Sequence, residues 1–345
     1  MDKLLFFPRL WQLLQKEIFI LPGRIIVFFF CIFLLILPLI MDDPYLLRII
    51  IFSSIFAIFA ASWDLLSGFT GQVNFGQALF FGVAAYTSAL LNLHMGLPPW
   101  ATVPLGALMA VVAGLAVGIP CLRLRGPYLA LATLAFPIIL MGIVFTIPQI
   151  TGGELGVSGI APLARSRVIT YYICVGLMIG LGLIMWKIAT SKTGIILHAI
   201  REDEIAVRAS GINTTRYKLI AFSLSGLFAG IAGGIYTHFM KIAGPSTLEV
   251  SLSFQAIIWA IFGGVATIYG PMVGVFILFP LMELLRILPE IRILLFALIV
   301  VLILLYMPEG ITTWIRERME KECPRCKIKN AGWRENCRVC FAELE

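Results

Sequence analysis

Apolar residues in this chain fall into blocks rather than into an alternating or scattered pattern. Blocks run at 25–41, 46–62, 78–95, 100–120, 127–148, 170–190 and 217–240. Each is long enough, or nearly so, to cross a hydrocarbon layer of about 30 Å at about 1.5 Å per residue. The stretch 254–307 divides in two ways: one long span and a last helix, or three shorter spans at 254–268, 271–286 and 291–307. The second division gives ten spans and puts both chain ends on one side. The predicted fold is an all-α polytopic membrane protein of about ten transmembrane helices. The block 254–268 would extend only about 22 Å as a helix and is read as a broken or re-entrant element.

Charge chooses between the two divisions. With ten spans and a cytoplasmic start, residues 1–24, 121–126, 187–218 and 308–345 lie inside and hold 20 of the 26 Lys and Arg residues. With nine, the basic tail moves outside and the bias largely disappears, so ten is preferred. The net charge of +7 thus marks the cytoplasmic side and gives no reason to expect nucleic acid. Residues 1–24 form a cytoplasmic or interfacial segment. Leu10, Leu14 and Ile18, with Trp11 beside them, predict an amphipathic helix lying on the bilayer. The apolar block that follows runs into Ile40, Met41, Asp42 and Asp43 with no small-residue cleavage site, which argues against a removed signal peptide.

One inside segment breaks the charge pattern. Residues 63–77, "WDLLSGFTGQVNFGQ", carry no Lys or Arg. Glycines at 68, 71 and 76 weaken a continuous helix, and Thr70, Gln72, Asn74 and Gln77 are polar without charge. Irregular backbone at membrane depth persists only where protein or a water-filled cavity satisfies its polar groups. The segment is therefore read as a discontinuous element whose Thr70, Gln72, Asn74 and Gln77 line a translocation pathway; a short uncharged turn in helix contacts is the competing reading. Asp64 sits at a block end and is expected to reach water, in a capping or interfacial role. A second interruption, "FGGVATIYGPMVG" at 262–274, sets Gly263, Gly264, Gly270, Pro271 and Gly274 into an apolar run. Two such breaks in opposite halves are the mark of a repeat-built transporter, although glycines also permit close helix packing.

Several stretches together resemble the membrane permease subunits of branched-chain amino acid ABC importers. They are "GFTGQVNFGQALFFGVAAYTSALL" (68–91), "LRLRGPYLALATLAF" (122–136), "TGGELGVSGI" (151–160), "AIREDEIAVRASGINTTRYKLIAFSLSGLFAGIAGGIY" (199–236) and "FGGVATIYGPMVG". The similarity covers roughly residues 25 to 312, the expected permease domain. Urea, amide and sugar permeases share much of the pattern. The resemblance implies two ABC ATPase subunits, a related second permease subunit and an extracytoplasmic substrate-binding protein. It also implies a bacterial or archaeal cytoplasmic membrane, with the lipid bilayer as surroundings.

The segment 191–216 mixes both charge signs, and Ala199, Ile200, Ala206, Val207 and Ala209 could give a short helix an apolar side, with Gly211 as its stop. Alone this fits either a solvated loop or a docking helix. The resemblance places it at the coupling helix through which an ATPase drives the permease, with Arg201, Glu202, Asp203, Glu204, Arg208 and Gly211 as contact candidates and His198 as a contact or a bystander. The Gly-x4-Gly-Lys-Ser/Thr loop is missing from the sequence, so ATP is expected to act only through partner subunits, and no catalytic residue is assigned. The loops 149–169 and 241–253 are the expected docking surface for a binding protein, with Glu154 and Glu249 read as hydrated. A gradient-driven secondary transporter would need embedded acids or bases, which the span centres nearly lack. An enzyme would need a cluster that His94, His198 and His238 do not make.

The cytosolic tail, 313–345, lies outside the resemblance. Within it, residues 323–345 read "CPRCKIKNAGWRENCRVCFAELE". The pairs Cys323/Cys326 and Cys337/Cys340 offer four soft ligands in two knuckles, similar to a zinc ribbon, and predict structural Zn²⁺. About 23 residues bury too little apolar surface to fold unaided, and metal binding contributes roughly 10–16 kcal/mol. The alternatives are a thiol redox sensor, or disulfides if the tail were extracellular. Cys31, Cys121 and Cys174 lie in or beside apolar blocks and are read as packing residues.

Overall fold

The structure is a computed structural model that describes residues 22–40, 43–124, 126–326, 329–337, 339–340 and 342–343. The amphipathic helix expected around Leu10, Leu14 and Ile18 lies outside them. Ten apolar helices follow one another: α1 (Pro22–Ile40), α2 (Pro44–Trp63), α3 (Gln77–Met95), α4 (Pro99–Cys121), α5 (Pro127–Thr146), α6 (Arg167–Ala189), then, after a helical pair, α9 (Thr214–Met240), α10 (Val250–Gly263), α11 (Tyr269–Leu284) and α12 (Arg292–Tyr306). The pair is α7 (Lys192–Glu202) and α8 (Glu204–Ala209), and α13 (Ile311–Met319) opens the tail. Among the described residues, eight helical stretches are long and apolar enough to cross a membrane, and α1 and α10 are shorter apolar helices. Four of these ten helices begin with proline, at Pro22, Pro44, Pro99 and Pro127, residues suited to a first turn because their missing N–H would have no helical partner there.

The molecule is built around α2. Every residue from Ser53 to Trp63 is buried, as an apolar-all-round helix requires. Its serines return their hydroxyls to the helix: Ser54 Oγ donates to the Ile50 carbonyl at 2.8 Å and Ser62 Oγ to that of Phe59 at 2.6 Å. Beside it runs α9, whose Gly226, Gly230 and Gly234 form a four-residue stripe against α4. A Cβ at Gly226 would stand 3.0 Å from the Ala110 carbonyl oxygen, at Gly230 2.8 Å from Ala107 Cα, and at Gly234 3.2 Å from Val103 Cα. Hydrocarbon gives helices no hydrophobic drive to associate, so close backbone approach of this kind is what holds them.

Loops collect at two ends. At one, β1 (Val157–Ser158) pairs antiparallel with β2 (Ile242–Ala243), with Val157 opposite Ala243. The buried His238 ring ties this end together, Nδ1 lying 2.8 Å from the Ala161 carbonyl and Nε2 2.7 Å from Thr102 Oγ1. The other end holds residues 69–76, the α7–α8 pair, the turn 264–268 and the tail. There the start of α1 meets the tail: a Cβ on Gly23 would lie 3.4 Å from Glu320 Oε1. Both ends of the described chain are therefore together, which an even number of crossings requires. The block expected at 254–268 is α10 followed by a turn, with Gly264 at φ 118° ending the helix.

Candidate functional site: a broken span and its coupling contact

The last turn of the α2 span widens into a π-helix, Asp64–Gly68. Beyond it the chain doubles back through Gly71 at φ +70°, a conformation glycine adopts without penalty. Asn74 is the hub of the return. Its carbonyl accepts from Trp63 Nε1 at 2.7 Å, its backbone N–H donates to Ser67 Oγ at 3.1 Å, and its Oδ1 accepts from the Gly76 N–H at 2.9 Å. Asn74 Nδ2 donates to Gln77 Oε1 at 2.9 Å, and Gln77 Nε2 donates to Ser62 Oγ at 2.9 Å and Ser225 Oγ at 3.1 Å. Gln77 thus joins α2, α3 and α9 below one buried amide. Thr133 of α5 and Ser253 of α10 accept from the N–H groups of Phe75 and Ala78.

Thr70, Asn74 and Gln77 are buried, and their side chains are bonded within the chain. Gln72 differs. It is partly exposed, its Oε1 has no hydrogen-bond partner among the described residues, and it lines a cavity of about 660 Å³ with Thr70, Phe75, Leu129, Arg201 and Lys218.

Asp64 does not reach water. It is 0% exposed, and its carboxylate grips the second break: Oδ1 accepts from the Ala266 N–H at 2.7 Å, Oδ2 from those of Thr267 and Ile268 at 3.1 Å each. The expectation failed because the π turn carries α2 onward and the 264–268 turn folds over it. The capping half of that expectation holds, although the backbone capped lies 202 residues away. Ala266 and Ile268 take positive φ, 61° and 57°, at a cost of order 1–3 kcal/mol each. Three charge-assisted bonds of about 1.5–3 kcal/mol each offset that strain. The two interruptions noticed separately in the sequence are one structure. Gly68 must lack a Cβ, since one built there runs into the Asp64 carboxylate.

The helical pair reaches this structure directly. Arg201 Nη1 donates to the Gly68 carbonyl at 2.7 Å, and the Phe69 ring meets His198 edge-on with centroids 6.3 Å apart. Asp203 caps α8, its Oδ1 accepting from the Ile205 and Ala206 N–H groups at 2.8 and 3.0 Å. Glu204 ties the pair to α9: Oε2 lies 2.7 Å from Lys218 Nζ, and Oε1 accepts from Arg208 at 2.8 Å and Thr214 at 3.1 Å. Burial pushes the Glu204 carboxyl up, but the bond and charge of Lys218, then Thr214 and Arg208, outweigh it and hold the group below its ordinary value. Leu197, Ile200 and Val207 face inward, whereas Ala199, Ala206 and Ala209 are exposed, so the apolar side is narrower than expected. Gly211 ends the pair at φ +82°, and Glu202 is exposed. Lys218 was not singled out in the sequence because it opens an apolar block.

In the tail, β3 (Glu320–Glu322) pairs with β4 (Lys329–Ala331). The four Sγ atoms of Cys323, Cys326, Cys337 and Cys340 lie within 4.8 Å of one another, with Cys323–Cys340 at 3.4 Å and Cys326–Cys337 at 3.5 Å. Tetrahedral thiolates at about 2.3 Å from an ion stand about 3.8 Å apart, so these four could hold a metal ion. Backbone N–H groups of Cys340 and Val339 hold the Cys337 thiol down to about 6, and that of Cys326 lowers Cys323; both favour the thiolate that binds metal. At the opposite end of the molecule, Glu154 and Glu249 border a cavity of about 430 Å³ with Tyr236 and Met240.

Known proteins are similar to this chain in sequence. A high-affinity branched-chain amino acid transport system permease protein, LivM of Escherichia coli, is 30% identical over 307 residues, 81% of this chain and 71% of the relative. A probable branched-chain amino acid transport permease protein, LivH of Methanocaldococcus jannaschii, is 28% identical over 246 residues, 66% of this chain and 76% of the relative. The ribose import permease protein RbsC of Escherichia coli aligns at 33% identity over 94 residues, 26% of this chain and 29% of the relative. Among solved structures, PsaBC from Streptococcus pneumoniae in complex with Fab aligns with a TM-score of 0.32 at 17% identity, covering 69% of this chain and 90% of that chain, too slight a likeness to carry an argument. The family described as branched-chain amino acid transport system, permease component, matches residues 45–308. The chain belongs to that family of membrane permease components.

Proposed function

We propose that this chain forms the translocation pathway of an ATP-driven importer for branched-chain amino acids, moved by separate ATPase subunits that press on the α7–α8 pair. One observation carries the reading: Arg201 is bonded to the Gly68 carbonyl, so a displacement of the pair is delivered to the broken span. The segment is poised for such movement, being packed helix on one side and irregular backbone beside a cavity on the other. On this reading Asn74 and Gln77 frame the gate, and Thr70 and Gln72 border the path, Gln72 with a buried amide oxygen that has no hydrogen-bond partner among the described residues. The contact surface for the ATPase is Arg201, Glu202, Asp203, Glu204, Arg208 and the Gly211 turn. The outer loops joined by β1 and β2 receive a substrate-binding protein, and the gathered chain ends face the cytoplasm, where basic residues concentrate.

The four tail thiols hold structural Zn²⁺, consistent with the sulfur spacing and with cytosolic thiols staying reduced. Proton coupling by Asp64 is disfavoured, because both its oxygens are occupied by backbone donors. Reconstitution into vesicles with two ATPases, a second permease and a binding protein tests the reading. Leucine uptake should need ATP and the binding protein together. Uptake by this chain alone, driven by an ion gradient, would overturn it.

A further inference from the structure

We propose that the tail senses metal: a thiophilic divalent cation of the zinc class, bound by Cys323, Cys326, Cys337 and Cys340, keeps α13 seated against the α10–α11 corner and so controls the gate. The inference rests on the zinc assignment made above and extends it from staple to control element.

Cys323 follows β3 directly, and β3 follows α13 without a loop. Asn330, in β4 and fully buried, donates from Nδ2 to Cys337 Sγ at 3.6 Å. Gly332 N–H donates to the Met319 carbonyl at 2.7 Å, closing the far end of α13. A two-stranded ladder of three residue pairs is marginal by itself, and a nine-residue helix is too short to persist unsupported. Both therefore depend on the metal knuckle.

The near end of α13 forms the wall of the corner. Thr312 Oγ1 donates to the Gly263 carbonyl at 2.5 Å, and Arg316 Nη1 lies 3.4 Å from the Tyr269 hydroxyl at the start of α11. Gly310, at φ +88°, packs so closely that a Cβ there would lie 2.5 Å from Gly264 Cα and 2.9 Å from the Ile261 carbonyl oxygen. That corner opens the turn whose N–H groups Asp64 holds. Loss of the ion removes the support of β3 and β4, frays α13, and frees the turn on which the clasp depends.

The test uses the full complex, stripped with a chelator and reloaded with Zn²⁺. Stripping should raise amide exchange of residues 264–268 at least tenfold and lower leucine transported per ATP, and Zn²⁺ should restore both. Thr312→Val leaves the cysteines intact and should reproduce the faster exchange with bound zinc unchanged. Exchange changes confined to 320–343 would overturn the inference while leaving structural zinc standing. A purified chain that binds no thiophilic metal would overturn both.

Discussion

The clasp between Asp64 and the 264–268 turn gives the sharpest prediction. Asp64→Asn keeps the size of the side chain, so it opens no cavity, but it replaces one acceptor oxygen with an NH₂ group. With the remaining oxygen kept on Thr267 and Ile268, the Ala266 N–H at 2.7 Å loses its acceptor. An orphaned buried donor costs about 1–3 kcal/mol, and two bonds that fall from charge-assisted to neutral lose about 1 kcal/mol each. The local loss is then about 3–5 kcal/mol. At about 1.4 kcal/mol per factor of ten, opening of the turn should rise at least 100-fold. Hydrogen exchange by mass spectrometry on peptides covering 264–268 reads this directly, with peptides from α4 and from the far end of α9 as folding controls. Uptake should fall with it. Unchanged protection of 266–268 in a folded Asp64→Asn variant would refute the clasp as the element joining the two breaks.

Arg201→Ala removes the bond to Gly68 while leaving the buried Leu197 and Ile200 in place; assembly with the ATPases should persist through Glu202, Asp203, Glu204, Arg208 and the Gly211 turn, while uptake per ATP falls at least tenfold in proteoliposomes. Asn74→Ala strips the hub of the return loop and should lower thermal stability in detergent by about 1–3 kcal/mol. Gly68→Ala should match Asp64→Asn in the exchange experiment, since the added methyl displaces the carboxylate. The folded-state value of Glu204 is depressed, so its stabilisation of the α7–α8 pair is complete above the ordinary Glu value of about 4.3 and is lost as pH falls through the lower folded value. Protease nicking at the pair should therefore stay flat from pH 8 to 6 and rise only in strong acid, whereas Glu204→Gln should be nicked faster across the whole range.

Much of this was readable one residue at a time. The ten helices follow from apolar blocks and from prolines placed at first turns, and the four tail thiols from their spacing. Arg201 and Asp203 were candidates through the resemblance alone, since mixed charge in a short segment fits a solvated loop equally well. What depends on distant segments was not. Asp64 looked like a block-end acid because the covering turn begins about 200 residues later. The internal bonds of Asn74 and Gln77 were not readable either, because a polar side chain in an apolar chain is equally suited to a pore or to an internal bond, and their partners, among them Ser62 and Ser225, lie in other helices. The glycines at 263 and 264 were legible as interruptions but not as part of the corner on which the tail helix rests.

The central claim is that the α7–α8 pair and the broken span move as one body. Paired spin labels, carried on unnatural amino acids so that the native thiols stay untouched, measure it at the exposed positions Ile205, Val73 and Leu155 in the assembled complex, with and without trapped ATP. The account predicts that the Ile205–Val73 distance stays constant while Val73 shifts relative to Leu155 at the opposite end. Movement of Ile205 that leaves the Val73–Leu155 distance unchanged would contradict it.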